Sequence, residues 1–265
     1  MGILSFCNNW DNMDRRRFLI KSACALAGSL AGFNLFSKAF GHPGSQGPPR
    51  IALIIDDIGY GNAAAGRFLK AGIPMTFAVL PRLQNSHDLA IELHDRGHEI
   101  MLHQPMEPYQ SGFDPGPGAL YVGDDEHRIM DIMNANIAGV PYAVGVNNHM
   151  GSRFTACRRE ILETLGVVKR NKLFFVDSLT SSRSKAYRTA LELHLAAACR
   201  NIFLDNIVAE SAVIGQLFKL RQHALVCGRA VGIGHPHPET ARAIDTFVNC
   251  LNDRDVSFVH ASDIL

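Results

Sequence analysis

Two adjacent aspartates, Asp56-Asp57, end an aliphatic run, Ile51–Ile55. His103 ends a second run, Glu99–Leu102, and Asn147-Asn148-His149 end a third, Tyr142–Val146. The same placement recurs at Asp177-Ser178, Asp205-Asn206, His235-Pro236-His237 and His260. Two neighbouring acids at the end of an apolar run are costly to bury without a purpose. Imidazole nitrogen and carboxylate oxygen are ligands for hard or borderline divalent metals, zinc among them, and no cysteine joins the pattern. Such a site polarises a carbonyl and makes water a nucleophile near neutral pH. A nearby carboxylate can accept the water's proton and a histidine can protonate a leaving amine.

These groups can meet only if the runs that carry them are neighbours. The runs Ile51–Ile55, Met75–Leu80, Glu99–Leu102, Tyr142–Val146, Leu173–Val176, Ile202–Leu204, Ala230–Ile233 and Val256–Val259 are short, apolar and mostly without strict alternation. That is the pattern of parallel strands buried on both faces. Between them lie stretches with apolar residues three and four apart: Asn62–Ala71, Ser86–Arg96, Asp124–Ala138, Cys157–Asn171, Ser184–Ala198, Glu210–Cys227 and Pro238–Asn252. Several end in a glycine stop signal, as at Ala71-Gly72, Arg96-Gly97 and Cys227-Gly228. The alternation predicts an α/β fold, either a (β/α) barrel or an open doubly wound sheet, with the polar groups at one mouth. No G-x-G-x-x-G follows a strand, which removes the main support for a dinucleotide site. The Pro- and Gly-rich stretch Gln104–Gly123 breaks the rhythm and is long for a plain connection.

The 265 residues are 47% apolar, enough for one large core, and the 26 basic and 25 acidic side chains nearly cancel. A polyanion such as nucleic acid finds no footprint on such a chain. At the N-terminus, Arg15-Arg16-Arg17-Phe18-Leu19-Ile20-Lys21 precedes the uncharged stretch Ser22–Phe36. That stretch is short for a bilayer span and reads as a twin-arginine-type signal peptide over residues 1–41, cleaved after Ala39-Phe40-Gly41. The expected location is therefore periplasmic or extracellular, without stable membrane insertion after cleavage. The mature chain would carry 21 basic and 23 acidic residues, a net charge of about −2. Residues 42–49 form a Pro/Gly/Ser linker, and a single domain follows over 50–265. Cys157, Cys199, Cys227 and Cys250 form no C-x-x-C pair and read as free thiols, with one disulfide as the alternative.

The motifs Ile54-Ile55-Asp56-Asp57-Ile58-Gly59, His103-Gln104-Pro105-Met106-Glu107-Pro108, Pro115-Gly116-Pro117-Gly118-Ala119-Leu120, Gly145-Val146-Asn147-Asn148-His149-Met150-Gly151-Ser152, Phe203-Leu204-Asp205-Asn206 and Ile233-Gly234-His235-Pro236 occur in this order. In them the chain resembles the polysaccharide deacetylases, a carbohydrate esterase group, and their divergent branch in particular, from Arg50 to Leu265. The resemblance implies a distorted (β/α) barrel of seven or eight parallel strands and hydrolysis of an N- or O-acetyl group on a glycan. Carried over by position, Asp56 is the general base, Asp57 and His103 bind a divalent metal, expected to be zinc, and His235 is the general acid. The family's second metal histidine stands four residues after the first, where this chain has Glu107. His149 is the expected replacement ligand, with Glu107 either a fourth ligand or a supporting group. Asn148, Arg153, Asp177 and Asp205 are candidates to bind substrate or brace the ligands, Arg153 by pairing with an acid such as Asp56. The rival readings are a noncatalytic glycan-binding or regulatory protein on the same scaffold, which Glu107 favours, and a metal hydrolase of another bond type.

Overall fold

The computed structural model describes residues 47–61, 65–251 and 256–265. The expected signal peptide and residues 42–46 of the expected linker lie outside them. Nine strands form one sheet: β1 (Arg50–Ile58), β2 (Thr76–Val79), β3 (Glu99–Met106), β4 (Ala143–Met150), β5 (Phe174–Asp177), β6 (Ala197–Cys199), β7 (Ile202–Phe203), β8 (Arg229–Gly234) and β9 (Ser257–Val259). Among the described residues six α-helices accompany them: α1 (Ser86–Asp95), α2 (Glu126–Ala138), α3 (Arg158–Arg170), α4 (Ala186–Glu192), α5 (Glu210–Cys227) and α6 (Pro238–Asn249). The strand order is β6-β5-β4-β3-β2-β1-β8-β7, every pairing is parallel, and β9 adds to the first residues of β1.

The two end strands of this order, β6 and β7, are neighbours in sequence, separated only by Arg200 and Asn201. Two residues reach only about 10 Å from strand to strand, so the sheet must curl until its edges nearly meet. Arg200 N donates to Asp177 O at 2.9 Å and Asn201 N to Val231 O at 2.9 Å, so this dipeptide bridges β5 to β8. Val231 N donates back to the Asn201 side chain at 2.7 Å. The result is a distorted (β/α) barrel, one of the two architectures that the alternation of elements allows and the one that the family resemblance implies.

Strand side chains alternate between two cores. Ile51, Leu53 and Ile55 of β1, Phe77 and Val79 of β2, and Ile100 and Leu102 of β3 pack outward against the helices. Ala52, Ile54, Ala78, Met101, Phe174, Val176, Val231 and Ile233 fill the interior, where Ala261 and Ile264 join them. The inward column continues upward in register, so the positions above Ile54, Met101, Val176 and Ile233 are Asp56, His103, Ser178 and His235. The functional layer is the polar top of the barrel's own interior.

Three strands outlast the apolar runs that mark them. β1, β3 and β4 continue through Asp56-Asp57, through His103 and through His149, because His103 pairs with Asn147 and Pro105 with His149 across the same ladder. The polar groups are thus strand residues rather than loop residues. The helix expected over Ser184–Ala198 stops at Glu192, and its alanine-rich end forms β6 against Phe175–Asp177. Pairing that buries an edge outweighs the helical preference of alanine there. The helix expected over Asn62–Ala71 shows a 3₁₀ turn at Phe68–Ala71, and residues 62–64 lie outside the described residues. The four cysteines of the described residues are free thiols. No helix among the described residues is long and apolar enough to cross a membrane.

Gly145 marks the tightest point of the interior. A Cβ there would stand 2.4 Å from the Phe174 ring. Gly145→Val is expected to destabilise the fold by at least about 2 kcal/mol, because the ring is walled in by the barrel and cannot step aside. Urea unfolding checks this, and a variant as stable as the parent would contradict the packing described.

Candidate metal centre

In a regular strand Asp56 and Asp57 would point to opposite faces. The pairing of β1 with β2 shifts register between Ile55 and Ile58, and Asp57 has a left-handed φ of 58°. Aspartate tolerates that region better than most residues do. The bulge turns Asp57 back toward the mouth, so both carboxylates serve one cleft.

Asp57 Oδ1 lies 3.1 Å from His103 Nε2 and 2.9 Å from His149 Nδ1, and the two imidazole nitrogens are 3.1 Å apart. Neither histidine contact to Asp57 has the direction of a hydrogen bond, and Oδ1 is a buried oxygen without a hydrogen-bond partner. Three lone-pair atoms therefore converge on a common point. At tetrahedral angles, bonds of about 2.0–2.2 Å separate ligand atoms by about 3.3 Å. The triangle fits a divalent metal ion held by one carboxylate and two imidazoles, with positions left open.

The buried side chains behind this triangle fix its orientation. The Asn147 amide donates to Asp56 Oδ1 at 2.7 Å, which turns its carbonyl to His103 Nδ1 at 2.8 Å. His103 then donates from Nδ1 and presents the Nε2 lone pair to the site. Asp56 Oδ2 stands 3.6 Å from His103 Nε2. On the other flank His235 Nε2 is 4.0 Å from Asp57 Oδ2, while its Nδ1 is 2.9 Å from Asp205 Oδ1. Asp205 Oδ2 also accepts from the His235 backbone N–H at 2.6 Å and from Thr240 Oγ1 at 2.8 Å. The Phe203 ring packs on His235 at 5.1 Å, and the Arg200 guanidinium stacks on Phe203 at 4.9 Å.

These contacts set the protonation states. Burial pushes the Asp56 carboxyl above its ordinary range, against the pull of His103 and His235. Burial would also raise Asp57, but the imidazoles of His103 and His149 outweigh it and hold that carboxyl well below the usual range. His235 is opposed by burial, yet the Asp205 hydrogen bond and the charges of Asp56, Asp205 and Asp57 push it up to about 9.

The structure gathers Asp56, Asp57, His103, His149 and His235 at one mouth, with Asp205 behind His235. Asn148 braces the rim, accepting from Ser178 N at 2.9 Å and donating to Met150 O at 2.8 Å. Asp177 faces the helix side and ties down its own loop through Leu179 N, Ser184 Oγ and Tyr187 N. Glu107 does not join the triangle. Its Oε1 pairs with Arg153 at 2.6 Å and its Oε2 accepts from Val122 N at 2.8 Å. Arg153 pairs with an acid, as expected, but the acid is Glu107 and not Asp56. Arg153 lies four residues beyond His149 and Glu107 four beyond His103, so the pair spans the two strands above the site. Asn147, which couples Asp56 to His103, is not distinguished from Asn148 by the sequence. Its parity with Gly145 and His149 was the available signal.

Residues 53–265 match the protein-family model described as divergent polysaccharide deacetylase. The chain is 32% identical over 217 residues to the uncharacterized protein YibQ of Escherichia coli strain K12, covering 82% of this chain and 67% of that one. Among solved structures, the uncharacterized protein ATU2773 of Agrobacterium tumefaciens C58 superposes with a TM-score of 0.77 at 22% identity, over 85% of this chain and 93% of that one. BA3943 of Bacillus anthracis, described as a CE4-family pseudoenzyme, superposes with a TM-score of 0.51 at 14% identity, over 84% and 66%.

The His235–Asp205 pair carries a pH signature in the metal-free protein. A histidine whose folded pKa is raised to about 9 contributes stability that is full below the unfolded value of about 6.5 and lost as pH rises through 9. The His235 ring proton resonance should titrate near 9, and Asp205→Asn should bring its midpoint down toward 6.5 and flatten the loss of thermal stability across that window. A wild-type midpoint at 6.5 would contradict the pairing.

Proposed function

The chain belongs to the divergent polysaccharide deacetylase family, and on that premise we propose that it is an exported, divalent-metal-dependent hydrolase removing acetyl groups from a cell-envelope or extracellular glycan. The observation that carries this reading is the triangle of Asp57, His103 and His149, with its orphaned carboxylate oxygen. Three protein ligands with open positions are the usual arrangement of a catalytic rather than a structural zinc. Export rests on the Arg15-Arg16-Arg17-Phe18-Leu19 signal and the apolar stretch after it.

When bound, the cation supplies a Lewis acid for the acetyl carbonyl and makes water nucleophilic near neutral pH. Asp56 takes the water's proton on Oδ2, the oxygen that Asn147 leaves free. Burial raises its affinity for a proton, against the pull of His103 and His235, which suits it to accept one. The water oxygen joins the acetyl carbon. As the carbon–nitrogen or carbon–oxygen bond breaks, His235 donates from Nε2 to the departing atom. Asp205 holds His235 by Nδ1 throughout, so only Nε2 faces the cleft. Acetate and the free amine or hydroxyl leave.

One observation favours the noncatalytic alternative: the place of a second family histidine is held by Glu107, which is occupied with Arg153. The two readings separate on acetate release. Elemental analysis of the folded protein is expected to find about one divalent ion per chain, zinc, and Asp57→Ala and His103→Ala are expected to lose it. Asp56→Asn should keep the ion and lower acetate release from an N-acetylglucosamine oligomer by about 10²- to 10⁴-fold. Full activity in Asp57→Ala would sink the hydrolase, and metal and glycan binding without acetate release would establish the alternative.

A further inference from the structure

The ladder of β1 with β8 places the backbone at His235, since Ile55 pairs with Gly234. It does not set the plane of the imidazole. Asp205 holds Nδ1 at 2.9 Å, and a single hydrogen bond fixes a point on a ring rather than its plane. A ring free to turn about that bond would swing Nε2 away from the cleft. A second contact is needed, and the Phe203 ring makes it at 5.1 Å, tilted by 48°. Phe203 stands beside Ile233 in register while Ile202 packs outward against the helices. The Phe203 ring therefore faces the same interior column that ends in His235.

Phe203 is itself poorly held by its strand. β7 has two residues, Ile202–Phe203, and β8 is its sole strand partner. β6 and β7 are the two ends of the strand order, so a seam without a ladder runs beside this ring. Arg200 crosses the seam. Its guanidinium lies 4.9 Å over the Phe203 ring. Its Nε donates to Ser178 O at 2.7 Å and its Nη2 to Leu179 O at 2.9 Å. Both carbonyls follow β5, on the far side of the seam, and Ser178 N is tied to Asn148 of β4 at 2.9 Å. Two carbonyls and one ring fix the guanidinium at three points.

Stability alone does not account for this arrangement. Leu179 has a left-handed φ of 48°, which costs a bulky residue free energy and puts its carbonyl within reach of Arg200. Burial draws the Arg200 guanidinium below its ordinary pKa. Asp56 and Asp177 act on it across a distance, and among the described residues it has no carboxylate partner. A buried cation that bonds carbonyls alone contributes less to stability than an apolar side chain of its size would. What arginine offers here is a flat face and a rigid fork of donors on one side chain, which lysine lacks. Locked supports of this kind are what a reacting group needs to stay in place.

We infer that Phe203 and Arg200 are positioning residues for His235: the guanidinium, anchored on Ser178 O and Leu179 O, backs the Phe203 ring, and the ring holds the imidazole plane so that Nε2 meets the departing atom. This rests on the hydrolase reading above, in which His235 is the proton donor.

The leaving group separates this role from a general structural one. An amide nitrogen does not depart as an anion, so its bond to carbon breaks as a proton arrives. The phenolate of p-nitrophenyl acetate is stable near neutral pH and departs without one. Acetate release by the metal-loaded protein is therefore measured on an N-acetylglucosamine oligomer and on p-nitrophenyl acetate. His235→Ala should lower the ratio of oligomer to aryl-acetate turnover. Arg200→Ala and Phe203→Leu should lower the same ratio by roughly ten- to hundredfold through kcat, with KM and bound metal unchanged. Phe203→Tyr, which keeps the ring, should restore the ratio. Added to His235→Ala, neither Arg200→Ala nor Phe203→Leu should lower it further, because a support has no effect without the group it supports. Thermal melting is the folding control, and Phe203→Leu, which keeps apolar bulk, carries the test if Arg200→Ala does not fold.

Equal losses on both substrates, or a full further loss in the His235→Ala background, overturn the positioning role and leave the hydrolase standing. A wild type that turns over the aryl acetate alone has no working proton donor and overturns the role in the same way. A wild type that releases acetate from neither substrate overturns both.

Discussion

Neighbouring residues on a strand face opposite ways, so two consecutive aspartates can share a cleft only where a strand gives up its alternation. β1 does this at Asp57, in a bulge with a left-handed backbone. The departure costs backbone energy, and the barrel around it recovers that cost only by holding the carboxylate where two imidazoles face it. Every other feature of the centre follows from having one acid in register with the interior and the next one out of register. Asp56 stays in the buried column, where desolvation raises its affinity for a proton. Asp57 swings to the rim, where His103 and His149 keep it ionised. One environment suits a proton acceptor and the other a ligand, although the two residues are identical and adjacent.

The interior column also explains how groups far apart in the chain are coupled. His103 and Asn147 are partners across the β3–β4 ladder, and the Asn147 side chain reaches Asp56 on β1. One amide therefore fixes the tautomer of His103 and the orientation of the Asp56 carboxylate together. His235 is held separately, by Asp205 and Thr240 from the segments that follow β7 and β8. Asp56 and His235, the proposed proton acceptor and donor, are thus supported by opposite halves of the barrel, with the triangle between them.

Glu107 and Arg153 show how a departure from a family pattern can be absorbed. Their ion pair sits above the two strands that supply His103 and His149 and lines a pocket with Tyr109, Phe113 and Tyr121. The Glu107 carboxylate, at the place of the family's second histidine, instead anchors the loop through Val122 N. In this arrangement the position four residues after His103 shapes the rim of the cleft, and the third candidate ligand, His149, comes from β4.

The alternation of apolar runs with helical periodicity was enough to specify parallel strands and one mouth rich in acids and imidazoles, because burial on both faces leaves few residue types to choose from, while the choice of a barrel over an open sheet came from the family resemblance. Asp57, His103 and His149 were legible for the same reason: polar groups ending buried strands stand out. What the linear order does not contain is the direction of each side chain. Whether Asp57 faces in or out depends on a one-residue bulge, and whether Glu107 meets the ligands or Arg153 depends on where two prolines and the hydrogen bonds from Gln104 and Asn136 to Gly118 O carry the loop. The short link from β6 to β7, which brings the two edges of the curled sheet together, was hidden beside an alanine-rich stretch with strong helical preference. These outcomes rest on contacts between segments tens of residues apart, and only the assembled barrel brings such segments close enough for one interaction to prevail.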